Sequence, residues 1–139
     1  MNKVDDIYPV SEKSPEKAVS VSGLALQDLT LEAIMNGQIG SADIRISADV
    51  LKIQAEIAQK SGRETLAKNF ERAADLVAVP EAIILQTYEM LRPGRVLNPE
   101  ELSKRARFLR EKYGANAIAS LIDEAVLIYK KRRLFRKRY

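Results

Sequence analysis

Several pairs of carboxylates stand close enough in this 139-residue sequence to suggest acid–base chemistry, among them Glu71 with Asp75, Glu100 with Glu101, and Asp123 with Glu124. General acid–base catalysis needs two such groups in different environments facing one substrate. Adjacent residues on a helix diverge by about 100° and do not share a site easily. That leaves Glu71 and Asp75, four apart, on a helical face that also carries Lys68 and Arg72. A solvated charged face is the simpler reading of that pair.

The residue inventory narrows the chemistry further. The chain has no His and no Cys. The usual general base at neutral pH, the commonest metal ligand, thiolate nucleophiles and disulfides are therefore absent. Five Tyr residues are scattered at core-facing or terminal positions. The glycine-bearing turns Gly37-Gln38-Ile39-Gly40 and Ser61-Gly62-Arg63 match no phosphate-loop spacing and read as helix ends. No catalytic, cofactor-binding or metal-binding residue is expected in this chain.

Charge is unevenly placed. The formal net charge is +4, from 23 basic and 19 acidic residues, and seven of the basic residues fall within 130–139. Residues 1–129 hold 16 basic and 19 acidic residues, a net of −3. The basic tail, with Phe135 and Tyr139 interleaved, has four readings: phosphate contacts to nucleic acid, attraction to a membrane surface, complementarity to the C-terminal dipole of a helix, or docking on an acidic partner surface. A dedicated DNA-binding domain carries positive charge on its folded face as well, so neither nucleic acid nor membrane is expected as a partner.

The elements that would position these groups are helical. Apolar residues make up 46% of the chain and charged residues 30%. Apolar spacing and capping residues predict a short helix after Thr30 that ends at Asn36-Gly37. Ser47 then caps a longer helix carrying Val50, Ile53 and Ile57. Helical spacing resumes after Ser61-Gly62 with Leu66, Phe70 and Val77, and Phe70 is expected in the core. Pro80 suits the first turn of the next helix, which stops at Arg92-Pro93-Gly94. Asn98-Pro99-Glu100-Glu101 opens another that runs to Gly114, and the last runs from about Ala115 into the tail. The expectation is an all-α fold with about five main helices, an extended N-terminal arm and a basic C-terminal tail. Residues 1–22 are expected to be an extended or disordered arm, and 23–139 one helical domain with 130–139 its basic tail. Leu121, Leu127 and Ile128 broaden the last apolar stripe, marking either a partner surface or a buried central helix. No apolar run approaches the roughly 18–20 residues that span a bilayer, and residues 1–22 do not read as a targeting extension.

The residues themselves carry a resemblance. Asp28-Leu29-Thr30-Leu31-Glu32, Asn36-Gly37-Gln38-Ile39-Gly40 and Asp43-Ile44-Arg45-Ile46-Ser47 resemble the small (γ) subunit of adenosylcobalamin-dependent diol and glycerol dehydratases. So do the run from Ala67-Lys68-Asn69-Phe70 to Val79-Pro80 and the segment Tyr88 to Arg95. The match runs in order from about residue 28 to 95, and residues 114–128 follow in pattern alone. The resemblance implies a helical, non-catalytic subunit of a hydro-lyase, inactive in isolation. It packs with large and medium subunits in a dimer of heterotrimers. Adenosylcobalamin would be held by those partners and not by this chain, and would drive radical dehydration of 1,2-propanediol or glycerol to an aldehyde. Arg72, Arg92 and Arg95 are the partner-interface candidates, because arginine makes bidentate contacts to carboxylates. The implied location is the cytoplasm, within a bacterial microcompartment in some members. The competing reading is a stand-alone helical binding module whose tail engages nucleic acid or an acidic partner.

Overall fold

Polar residues in extended backbone stand just ahead of three helices. Thr30, Ser47 and Asn98 each place a side-chain oxygen on an otherwise orphaned backbone N–H, of Ala33 (3.2 Å), Val50 (3.1 Å) and Glu100 (3.0 Å). A computed structural model describes residues 7–137 of the chain. Among them are seven α-helices: α1 (Val10–Lys13), α2 (Leu31–Met35), α3 (Ala48–Lys60), α4 (Glu64–Val77), α5 (Glu81–Leu91), α6 (Pro99–Tyr113) and α7 (Asn116–Lys131). Five of these have eleven residues or more, as the sequence pattern anticipates. The described residues hold no β-strand, only an isolated bridge between Val19 and Ala25. Ser41–Ile44, set off by Gly40, forms turns.

The chain divides into two compact units, Met1–Ala74 and Asp75–Tyr139, with the boundary inside α4. The sequence reading placed its boundary at residue 22.

In the first unit, Leu51, Ala55, Ile57 and Ala58 of α3 and Ala67 of α4 are buried. The expected arm is not extended in its described part, residues 7–22. Val10 of α1 is 6% exposed and packs with Ile57 of α3, flanked by Ile7, Ala18 and Ile53. Pro9 and Pro15 are the reason that sequence reading missed this: they interrupt the periodicity. They also sit where a short helix tolerates them, Pro9 immediately before α1 and Pro15 opening a 3₁₀ turn. Residues 1–6 lie outside the described residues, as do Arg138 and Tyr139 of the tail.

The second unit is built on the α6–α7 hairpin, closed by Gly114 in the left-handed region (φ 63°). Leu102, Ala106, Leu109, Ala119 and Ile122 are at most 1% exposed, and Val79, Val96 and Val126 complete the core. Ile83, Ile84 and Leu91 of α5 pack against it. Leu127 and Ile128 are exposed, at 68% and 47%, so α7 is not buried all round.

Three helices end in one hydrogen-bond pattern. At the end of α2 the N–H of Gln38 reaches Ala33 O, and that of Gly37 reaches Ile34 O. At the end of α3 Arg63 bonds Ala58 O and Gly62 bonds Gln59 O. At the end of α7 Leu134 bonds Tyr129 O and Arg133 bonds Lys130 O. This paired closure requires a left-handed residue at its corner, which glycine adopts without steric cost. Gly37 (φ 72°) and Gly62 (φ 73°) fill the first two corners, whereas Arg133 (φ 54°) fills the third.

Candidate functional site

The three carboxylate pairs are separated in role. Asp75 Oδ2 accepts hydrogen bonds from the backbone N–H groups of Ala117 (2.7 Å) and Ile118 (3.0 Å). It thereby caps α7, whose own N-cap residue, Ala115, has no side-chain acceptor. Glu71, its partner at four residues' spacing, is exposed. Asp123 Oδ2 accepts from Arg110 Nη2 at 2.9 Å, tying α7 to α6, while Glu124 is exposed. Glu100 and Glu101 are exposed in the first turn of α6, where they complement the helix dipole. Each of these carboxylates has a structural or solvated setting, and no pair faces a shared substrate space. Among the described residues, no group of three or more Asp and Glu side chains converges as metal ligands would.

Two carboxylates have displaced titration. Asp43 accepts from the hydroxyl of Ser22, from Gly40 N–H (2.9 Å) and from the hydroxyl of Ser20 (3.1 Å). These bonds favour the anion and hold its carboxyl below the ordinary value of 3.8. Glu56 is lowered by its hydrogen bond to Lys60 and by the charge of that ammonium, one turn along α3. Asp43 works as a loop staple: it joins the turn at residues 20–22 to the turn at 40–43. Its spacing of about twenty residues from its partners gave the sequence no periodic signal.

The interface candidates have these surroundings. Arg92 Nη1 lies 3.0 Å from Glu89 Oε2, and Arg95 Nε lies 2.8 Å from Glu89 Oε1. One carboxylate, half exposed, thus holds both guanidinium groups around the Pro93-Gly94 turn. Glu89 escaped the sequence reading, although its spacing of three from Arg92 on a helix end was a usable signal. Arg72 Nη1 donates to Asn69 Oδ1 at 3.1 Å, within α4 of the first unit. Phe70 is partly buried and lines a surface hollow with Tyr8, Gln54, Ile57 and Leu66.

Both units expose large apolar side chains. In the first unit Val21, Leu31, Met35, Ile44 and Ile46 are each more than half exposed, all within residues 21–46. In the second, Leu85, Tyr88 and Leu127 are likewise exposed. Where such side chains lie together, they mark sites of protein association. The second unit also has a partly open apolar pocket of about 160 Å³ lined by Leu76, Val79, Ile84, Thr87, Tyr88, Leu91, Leu109 and Ile118. The Thr87 hydroxyl bonds Ile83 O at 2.7 Å and offers that pocket no free donor. Among the described residues no helix is long and apolar enough to cross a membrane.

Known proteins supply the context for these surfaces. The family described as "Dehydratase small subunit" matches residues 3–136. The propanediol dehydratase small subunit of Citrobacter freundii is 41% identical over 131 residues, covering 94% of this chain and 75% of the relative. The corresponding small subunit of Salmonella typhimurium is similar to the same extent, 41% over 131 residues.

Proposed function

Because the chain belongs to the dehydratase small-subunit family, we propose that it serves as the small, non-catalytic subunit of a diol dehydratase, a hydro-lyase acting on 1,2-propanediol or glycerol. The match across residues 3–136 carries this reading. It extends well beyond the stretch from 28 to 95 in which the resemblance is legible by eye. The separated carboxylates, the absence of His and Cys, and the exposed apolar segments in both units support a chain that contributes surface rather than reacting groups.

The enzyme's chemistry is that of adenosylcobalamin, with the large and medium subunits as its holders. This chain's own residues do not fit a corrin. The apolar pocket of the second unit, about 160 Å³ and partly open, is far smaller than a corrin. No step of the reaction is therefore routed through the chain. Its contribution is to complete the assembly, a dimer of heterotrimers, in the cytoplasm or a microcompartment there. Arg92 and Arg95, with Arg72 on the first unit, are its proposed polar contacts to those partners. The alternative of a stand-alone nucleic-acid-binding module finds no support in these relatives.

The test is capture of the tagged chain from its native source, with the partners identified by mass spectrometry and dehydratase activity assayed with and without it. Recovery of the two larger subunits is expected. A chain that stays alone when mixed with them, with full activity in its absence, would refute the proposal.

A further inference from the structure

The end of α7 is a cationic platform with a fixed shape. Six basic residues lie within 130–137, all of them exposed, and no acidic residue interrupts them. None of the ion pairs among the described residues involves them. A helix dipole accounts for favourable cations only in the last turn, here Lys130 and Lys131. Arg132, Arg133, Arg136 and Lys137 lie beyond it.

The platform is anchored. Tyr129 donates its hydroxyl to Leu91 O at 2.6 Å, and the ring of Phe135 packs on that of Tyr129 with centroids 5.9 Å apart. Phe135 faces the core of the second unit. The corner of the helix end is Arg133, in the position that Gly37 and Gly62 fill elsewhere in the same chain. A left-handed arginine is conformationally strained where a glycine is not. A charge is thus kept at a place where the backbone alone favours its removal.

We propose that residues 127–137 form a docking surface for an acidic patch on another subunit of the dehydratase, the cations pairing with its carboxylates and Leu127 and Ile128 packing beside them. This rests on the chain's being a dehydratase small subunit. Charge complementarity identifies the occupant: six unpaired cations call for an acidic surface, and the two exposed apolar residues one turn earlier favour protein over a phosphate backbone. The remainder of the chain, net −3 over residues 1–129, opposes a polyanion. Phe135, the one aromatic side chain among the described residues after α7, is turned inward.

The test uses the co-expressed three-subunit complex on a sizing column from about 0.05 to 0.5 M NaCl, a range over which screening of exposed charges becomes nearly complete. The wild-type chain is expected to remain at low salt and to be shed progressively as salt rises. Arg136→Glu/Lys137→Glu is expected to lower the retained fraction by about tenfold at 0.15 M NaCl, as for charges that steer and register an interface. Arg133→Gly separates docking from folding: the free chain should melt no lower than wild type, yet leave the complex at lower salt. Retention of both variants like wild type at every salt overturns the proposal. So does binding of the wild-type chain, lost in the variants, to duplex DNA or to phosphatidylglycerol vesicles at 0.15 M NaCl. Failure of the wild-type chain to enter the complex at any salt overturns it as well, and the subunit reading with it.

Discussion

Replacing Asp75 by alanine strips α7 of its cap without touching the apolar core. The carboxylate accepts from two backbone N–H groups, of Ala117 and Ile118, both partly buried. Ala115, next to the helix start, offers nothing in exchange. Loss of a side-chain cap costs about 0.5–2 kcal/mol, and a hydrogen bond to a charged group contributes about 1.5–3 kcal/mol. The two figures describe overlapping interactions, so the expected loss is about 2–3 kcal/mol. At about 4 °C per kcal/mol, intermediate between small and larger domains, the midpoint falls by about 8–12 °C. Asp75→Asn keeps an acceptor and loses the charge, and should cost about half as much. Glu71→Ala, on the exposed side of α4, should lie within about 0.5 kcal/mol of wild type. Urea titration of the full-length chain at 25 °C, with a thermal scan alongside, measures all three. If Asp75→Ala is no more damaging than Glu71→Ala, the capping role is wrong.

Three further outcomes follow from the same geometry. Leu109→Ala, at a site 1% exposed, should cost about 2–5 kcal/mol in urea titration, since it opens a cavity in the α6–α7 core. Arg92→Ala and Arg95→Ala each break a half-exposed pair with Glu89 and should change the free chain by less than about 1 kcal/mol; weaker retention in the dehydratase complex on a sizing column is expected if both guanidinium groups face a partner, and unchanged retention removes them from the interface. Asp43 has a folded-state carboxyl below its ordinary 3.8, so its stabilisation is complete above that value and is lost as pH falls through the lower folded value. The stability gap between wild type and Asp43→Asn should therefore be constant from about pH 5 to 8 and shrink below about pH 4 in pH-dependent denaturation; a gap that widens on acidification contradicts this.

The helices were legible because their signals are local. Thr30, Ser47 and Asn98 lie next to the N–H groups they satisfy. Leu102, Ala106 and Leu109 recur at helical spacing and are the residues found buried. The features that escaped sequence reading depend on partners far along the chain. Val10 is one apolar residue in a proline-punctuated stretch, and Ile57, forty-seven residues later, is its buried partner. Asp75 reads as half of a charge pair on its own helix, whereas its hydrogen bonds go to residues 117 and 118. The interface candidates were chosen by residue type, and the structure adds that Arg92 and Arg95 share Glu89. Arg133 carried no sequence signal at all, because a left-handed arginine is not anticipated where glycine is the usual corner.

The hydrogen bonds that tie the two ends of α7 to the α4–α5 segment have a mechanical consequence. Asp75 fixes one end of the helix, and Tyr129, through Leu91, fixes a point near the other. Sixteen residues of α-helix make a rod of about 24 Å. A tilt of only about 5° at the Asp75 end would sweep the far end through roughly 2 Å, comparable to the helix shifts through which packed proteins switch state. The α4–α5 segment, residues 75–91, therefore supplies the anchors at both ends of α7, and so sets where its charged C-terminal end lies within the second unit. Substitutions there would be felt at the tail without any residue of the tail having changed.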